Sequence, residues 1–108
     1  MLNHCVFFWA KDNLSASDRH DFEQGLRSLL AIPYVEEGSR VGVPAAVTER
    51  PSVDRSYAFA LQLKFEDIAA HDAYQIDPVH KAFHERCVKY WSKAVVYDFV
   101  DPDLADRL

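Results

Sequence analysis

Leu2-Asn3-His4-Cys5-Val6-Phe7-Phe8-Trp9-Ala10 is a run rich in strand formers, and its two faces decide the fold. Neighbours on a strand point to opposite sides. Leu2, His4, Val6 and Phe8 therefore share one side, and Cys5, Phe7 and Trp9 the other. A strand in an antiparallel sheet with one solvated face alternates apolar with polar residues. This strand is apolar on both sides, so both faces of its sheet need cover.

The elements downstream supply one of the two covers. Ser15 or Ser17 offers a helix cap, and Ser15-x-x-Asp18 matches a capping box. Phe22, Leu26, Leu29 and Leu30 recur at helical spacing, which predicts a helix from Ala16 to Ala31, stopped by Pro33. Val35 to Val43 reads as a second strand with a bend at Gly38, and Pro44 to Asp54 as a loop. The third strand is the clearest: Tyr57, Phe59, Leu61, Leu63 and Phe65 alternate with Ala58, Ala60, Gln62 and Lys64. Asp67 caps a short helix through Gln75, and Asp77-Pro78 starts another. Val79, Phe83, Cys87, Trp91 and Ala94 are expected along one face of that helix, with Val95 to Val100 as the last strand. Residues 101–108 form a polar tail expected on the surface.

The order is that of an α+β, ferredoxin-like βαββαβ sandwich, read as a single domain over residues 1–108. Its helices cover one face of a four-stranded sheet. A second copy of the chain, sheet against sheet, is the simplest cover for the face bearing Phe7 and Trp9, so a homodimer is expected.

Composition narrows the rest. The chain has 108 residues, 49% of them hydrophobic, enough for one well-filled core. The net charge of −5, with no basic run, argues against nucleic acid and anionic membrane surfaces as partners. No apolar stretch approaches the roughly 18 residues that span a bilayer. The first residues lack the pattern of a signal peptide, and Cys5 and Cys87 do not form a disulfide framework. A cytoplasmic location is the expectation.

Three residues stand out chemically. His4 lies mid-strand among apolar neighbours, and histidine is the side chain poised for proton transfer near neutral pH. Tyr74 ends one short helix and His80 lies in the first turn of the next, so the kink at Asp77-Pro78 can turn both rings into one space. A hydroxyl donor beside an imidazole base suits enolate or phenolate chemistry. The plainer reading is packing, with His4 a satisfied strand residue, Tyr74 at a helix end and His80 facing water. His80, His84 and Cys87 fall at metal-ligand spacing on one helix. That set lacks a fourth ligand, and Cys87 continues the apolar stripe, so no metal is expected. Arg55-Ser56-Tyr57-Ala58-Phe59-Ala60 partly echoes an RNA-recognition strand, but the glycine and one aromatic are missing and the charge is wrong. No Gly-rich phosphate loop is present, and no cofactor is implied.

Asn3-His4-Cys5-Val6-Phe7-Phe8 resembles the start of the stress-responsive A/B barrel (Dabb) family. So do Ile32-Pro33-Tyr34-Val35, Leu63-Lys64-Phe65-Glu66-Asp67, Tyr74 to His80 with Phe83, and Trp91 followed by Tyr97-Asp98-Phe99. The resemblance implies a ferredoxin-like monomer that pairs into a dimeric α+β barrel. Function in the family is mostly unassigned. One plant cyclase type within it closes a linear polyketide by an aldol reaction without a cofactor. Its catalytic His and Tyr match His80 and Tyr74, and a supporting His matches His4. Many members carry His where this chain has Asp77. The resemblance thus implies a small cleft in each subunit for a small carbonyl or phenolic compound, with His80 as base, Tyr74 orienting the oxygen and His4 in support. The competing expectation is a non-catalytic ligand-binding or stress-associated dimer.

Overall fold

A computed structural model describes residues 1–107. Four strands and three helices follow in the order β1 (Leu2–Ala10), α1 (Ala16–Ser28), β2 (Arg40–Gly42), β3 (Phe59–Phe65), α2 (Ile68–Gln75), α3 (Pro78–Cys87) and β4 (Trp91–Val100). The sheet runs β2-β3-β1-β4 with every pair antiparallel. This is the ferredoxin-like α+β arrangement expected from the element order.

Local chemistry starts each helix where the sequence says it should. Asp18 donates its backbone N–H to Ser15 Oγ at 3.0 Å, and Ser15 N–H returns a bond to Asp18 Oδ2 at 3.2 Å, which makes Ser15 rather than Ser17 the cap. Phe22, Leu26 and Leu29 then face the sheet, each fully buried. Each such side chain contributes about 1.5–3 kcal/mol of burial free energy. The helix closes with a 3₁₀ turn over Leu29–Ala31 before Ile32 and Pro33.

Three elements differ from expectation. The third strand begins at Phe59, and Tyr57, expected in line with Phe59 and Leu61, lies on the opposite face against Phe7 and Trp9. The second strand is only Arg40–Gly42, because Gly38 takes φ +88° and turns the chain ahead of it. The segment is still tied to the end of β3: Glu36 N–H donates to the Lys64 carbonyl at 2.9 Å, and Lys64 N–H donates to Ser39 Oγ at 2.8 Å. The last helix also ends earlier. It stops at Cys87, tightens into a 3₁₀ turn over Val88–Tyr90, and leaves Trp91 and Ala94 on β4 instead of on the helix. Pairing along β1, from Leu2 with Val100 to Ala10 with Trp91, outweighs the helical period there. Val79 likewise leaves the expected core stripe and is exposed, while Phe83 and Cys87 remain buried. The tail forms 3₁₀ turns over Pro102–Arg107, with residues 101–103 exposed; Leu108 lies outside the described residues.

All three helices pack on one face of the sheet, over Leu2, Val6, Phe8, Phe59, Leu61, Leu63 and Phe65. On the opposite face Phe7 meets Tyr57 edge-on at 5.0 Å and Tyr97 at 6.2 Å. Tyr97 and Phe99 are 63% and 55% exposed there, an apolar surface without cover in the single chain. Among the described residues no helix is long and apolar enough to cross a membrane.

Candidate active site

The alternation of β1 sends His4 to the helix-covered face, where it is 4% exposed. Asp67 Oδ1 accepts the Ala70 N–H at 2.8 Å and starts α2, whose last turn carries Tyr74. Asp77 Oδ1 accepts the Val79 N–H at 2.8 Å, and Pro78 at the first helical position opens α3. The corner between the two helices brings Tyr74 and His80 edge to face, with ring centroids 4.9 Å apart. His4 approaches Tyr74 from the sheet at 6.0 Å. The three residues singled out from the sequence thus line one cavity of about 150 Å³, walled by Phe8, Phe83 and Trp91. Larger hollows of about 830 and 690 Å³ flank the 49–58 loop, but they open to solvent and contain none of these residues. Asp77 serves as a helix cap and is not among the residues lining the cavity.

Burial sets the protonation of the cavity. It pushes the Tyr74 hydroxyl well above the ordinary phenol range, so the group stays a donor at neutral pH. His80 is held below the ordinary histidine range, first by burial and then by the neighbouring His84 and His4. His4 is also lowered by burial, against the opposing pull of Asp98. Both imidazoles are therefore neutral at pH 7, each with one nitrogen free to accept a proton.

Two neighbours of His4 are not among the three residues that the sequence singles out. Asp98 faces it from β4, with Oδ1 2.5 Å from His4 Nδ1. A carboxylate only accepts, so Nδ1 carries the proton and Nε2 is the free nitrogen. His71 meets His4 edge-on at 5.0 Å from α2. Its spacing from Tyr74, three residues on the same helix, was the available signal. Nothing local announces Asp98, which reaches His4 only through the β1–β4 register.

The donor atoms of His4, His71 and Asp98 lie within 4.8 Å of one another. His4 and Asp98 are hydrogen-bonded at 2.5 Å, closer than the roughly 3 Å that separates two ligands of one zinc ion. The geometry is that of a carboxylate–imidazole pair with a second imidazole beside it. The other spacing with metal-ligand character divides: His80 and His84 line the cavity, whereas Cys87 packs against Gly25 of α1.

Known proteins bear on this architecture. A Dabb family protein with a ferredoxin-like fold from Mesorhizobium loti superposes with a TM-score of 0.73 at 26% identity, over 93% of this chain and 95% of that one. A dimeric ferredoxin-like protein of unknown function from Thermobifida fusca gives 0.73 at 20% identity, over 93% and 90%. The hydroxynitrile lyase of Passiflora edulis gives 0.74 at 19% identity, over 94% of each chain. The last two likenesses carry the fold alone. No curated protein matches the chain. The family model of the stress-responsive A/B barrel domain, however, matches residues 2–101, from the strand that presents His4 to the end of β4. With its sheet order, helix placement and sequence in agreement with that match, the chain belongs to the stress-responsive A/B barrel (Dabb) family.

Proposed function

We propose that this protein is a homodimer with one small-molecule cleft per subunit, performing cofactor-free proton transfer on a small carbonyl or phenolic compound. The observation that carries the reading is the grouping of His4, Tyr74 and His80 around one partly apolar cavity. His80, neutral and facing the cavity, is the base that removes a proton beside a carbonyl. Tyr74, held protonated by burial, donates to the carbonyl oxygen as negative charge develops on it. His4, held by Asp98 with its proton on Nδ1, supports the site as a second acceptor through Nε2. The Passiflora neighbour supports an enzymatic use of this fold, though its 19% identity does not extend to substrate. Pairing through the face of Phe7 and Trp9 is supported by that face's exposed Tyr97 and Phe99 and by neighbours described as dimeric.

The test is α-proton exchange of a small β-keto compound in deuterated water, followed by NMR. The intact protein should accelerate exchange over buffer. His80→Ala and Tyr74→Phe should each lose about 10²-fold or more while circular dichroism stays unchanged. A second reading, a ligand-binding dimer without turnover, draws on the largely apolar walls, Phe8, Leu61, Phe83 and Trp91 among them. Binding of the compound without any accelerated exchange would establish it in place of the first.

A further inference from the structure

His80 and His84 occupy a position the proton-transfer reading uses only in part. Both line the inner cavity, and both also line a shallow outer depression with Gln75, Ile76, Lys81 and Glu85. They stand one helical turn apart and form the threshold between the two spaces. His84 is kept there by an edge contact with Trp91, ring centroids 5.7 Å apart. Inside the threshold the walls are aromatic: Phe83 stacks on Trp91 at 5.8 Å and 24°, and Phe8 meets Trp91 at 5.1 Å.

Size and chemistry together restrict the ligand. The inner space is about 150 Å³. An apolar cavity of that size holds one benzene ring and little more. At the threshold stand the two imidazoles, and Lys81 and Glu85, of opposite charge, line the outer depression beyond them. Each imidazole presents an N–H that can be turned to an oxygen acceptor.

We infer that the cleft takes a single-ring anionic compound, its ring against Phe8, Phe83 and Trp91 and its carboxylate or phenolate oxygen held at the threshold by His80 and His84. This rests on the cleft proposed above and goes beyond it by assigning charge and size, and by making His84 a recognition residue. A long alkyl substituent has no room inside and would have to lie along the exposed Ile76.

The experiment is calorimetric titration of the full chain at neutral pH with benzoate, benzamide and 4-pentylbenzoate. Benzoate should bind about tenfold tighter than benzamide, as a charge-assisted hydrogen bond would give. His84→Leu, which removes the donor, should abolish that preference and leave benzamide affinity in place, whereas His20→Leu on the exposed face of α1 should not. The pentyl compound should bind no tighter than benzoate. Equal affinity for benzoate and benzamide, binding of neither, or a preference that survives His84→Leu overturns the inference. The two readings fail separately. Equal binding with α-proton exchange still lost in His80→Ala removes the anion assignment alone, and a benzoate preference without exchange removes proton transfer alone.

Discussion

His4 Nδ1 and Asp98 Oδ1 face each other at 2.5 Å across the β1–β4 ladder, at a register position where the two residues are direct partners. The imidazole is buried and the carboxylate half-open to solvent. Burial lowers the His4 pKa, and the bond and charge of Asp98 act against that lowering. Asp98→Asn should therefore move the His4 titration further down, read from its ring proton shifts by NMR. A midpoint that rises or stays in place would show that the carboxylate does not stabilise the protonated ring.

Acid should weaken the fold near neutral pH. His4 and His80 are both held below their ordinary range, chiefly by burial. The unfolded chain, with histidines near about 6.5, then binds more protons than the folded one just below that pH. Stability is full above the unfolded value, falls as pH drops toward the depressed folded values, and levels off beneath them. The urea midpoint should be lower at about pH 5.5 than at about pH 7.5, and His4→Asn should reduce the difference. Asp21 and Asp54, whose carboxyls are lowered by bonds to Arg86 and Ser56 respectively, act in a more acidic window and do not account for it. A midpoint that is flat or rises on acidification would contradict this sign.

Gly25 marks a close approach of α1 to α3. A Cβ there would collide with Cys87 Sγ and touch Phe83 at 3.5 Å. Gly25→Ala should destabilise the protein by about 1–3 kcal/mol despite alanine's higher helix propensity. Cys87→Ala in the same chain removes the obstacle and should recover part of that loss in chemical denaturation. A stabilising Gly25→Ala would mean that the two helices sit further apart.

Phe22 is fully buried and touches the rings of Phe8 and Phe59 at 5.5 and 5.0 Å. Phe22→Ala should cost about 3–5 kcal/mol by denaturant titration. A loss under about 1 kcal/mol would mean that the core closes over the space, contrary to the interlocked rings.

For assembly, sedimentation at micromolar concentration should give a mass of two chains. Phe7→Asp should dissolve the pair, because an unpaired carboxylate on a covered face is costly to desolvate. A native chain that sediments as a stable monomer would remove the proposed interface.

Much of this was legible in the chain because it is governed by near neighbours. The capping box at Ser15, the Asp77-Pro78 start of α3 and the alternation of Phe59 to Phe65 depend on contacts within a few residues, and the local pattern states them in full. The two-sided apolar strand at Leu2–Ala10 likewise determined which face His4 takes and that the face of Phe7 and Trp9 needs cover. Tyr74 and His80 meet because one short helix ends and the next begins between them, also a local event. What tertiary structure alone decided lies across the sheet. Trp91 fits the helical stripe of Phe83 and Cys87, yet pairing with Ala10 draws it into β4. Asp98 becomes the partner of His4 only because β4 lies beside β1 in one register; a slip of one residue would have turned its side chain to the opposite face. His84 gains its place at the cavity threshold only when α3 packs over Trp91. Hydrophobic period and caps are properties of a segment, whereas register and helix docking are set by the packing of the whole core, and that is where the surroundings of His4 and His80 were made.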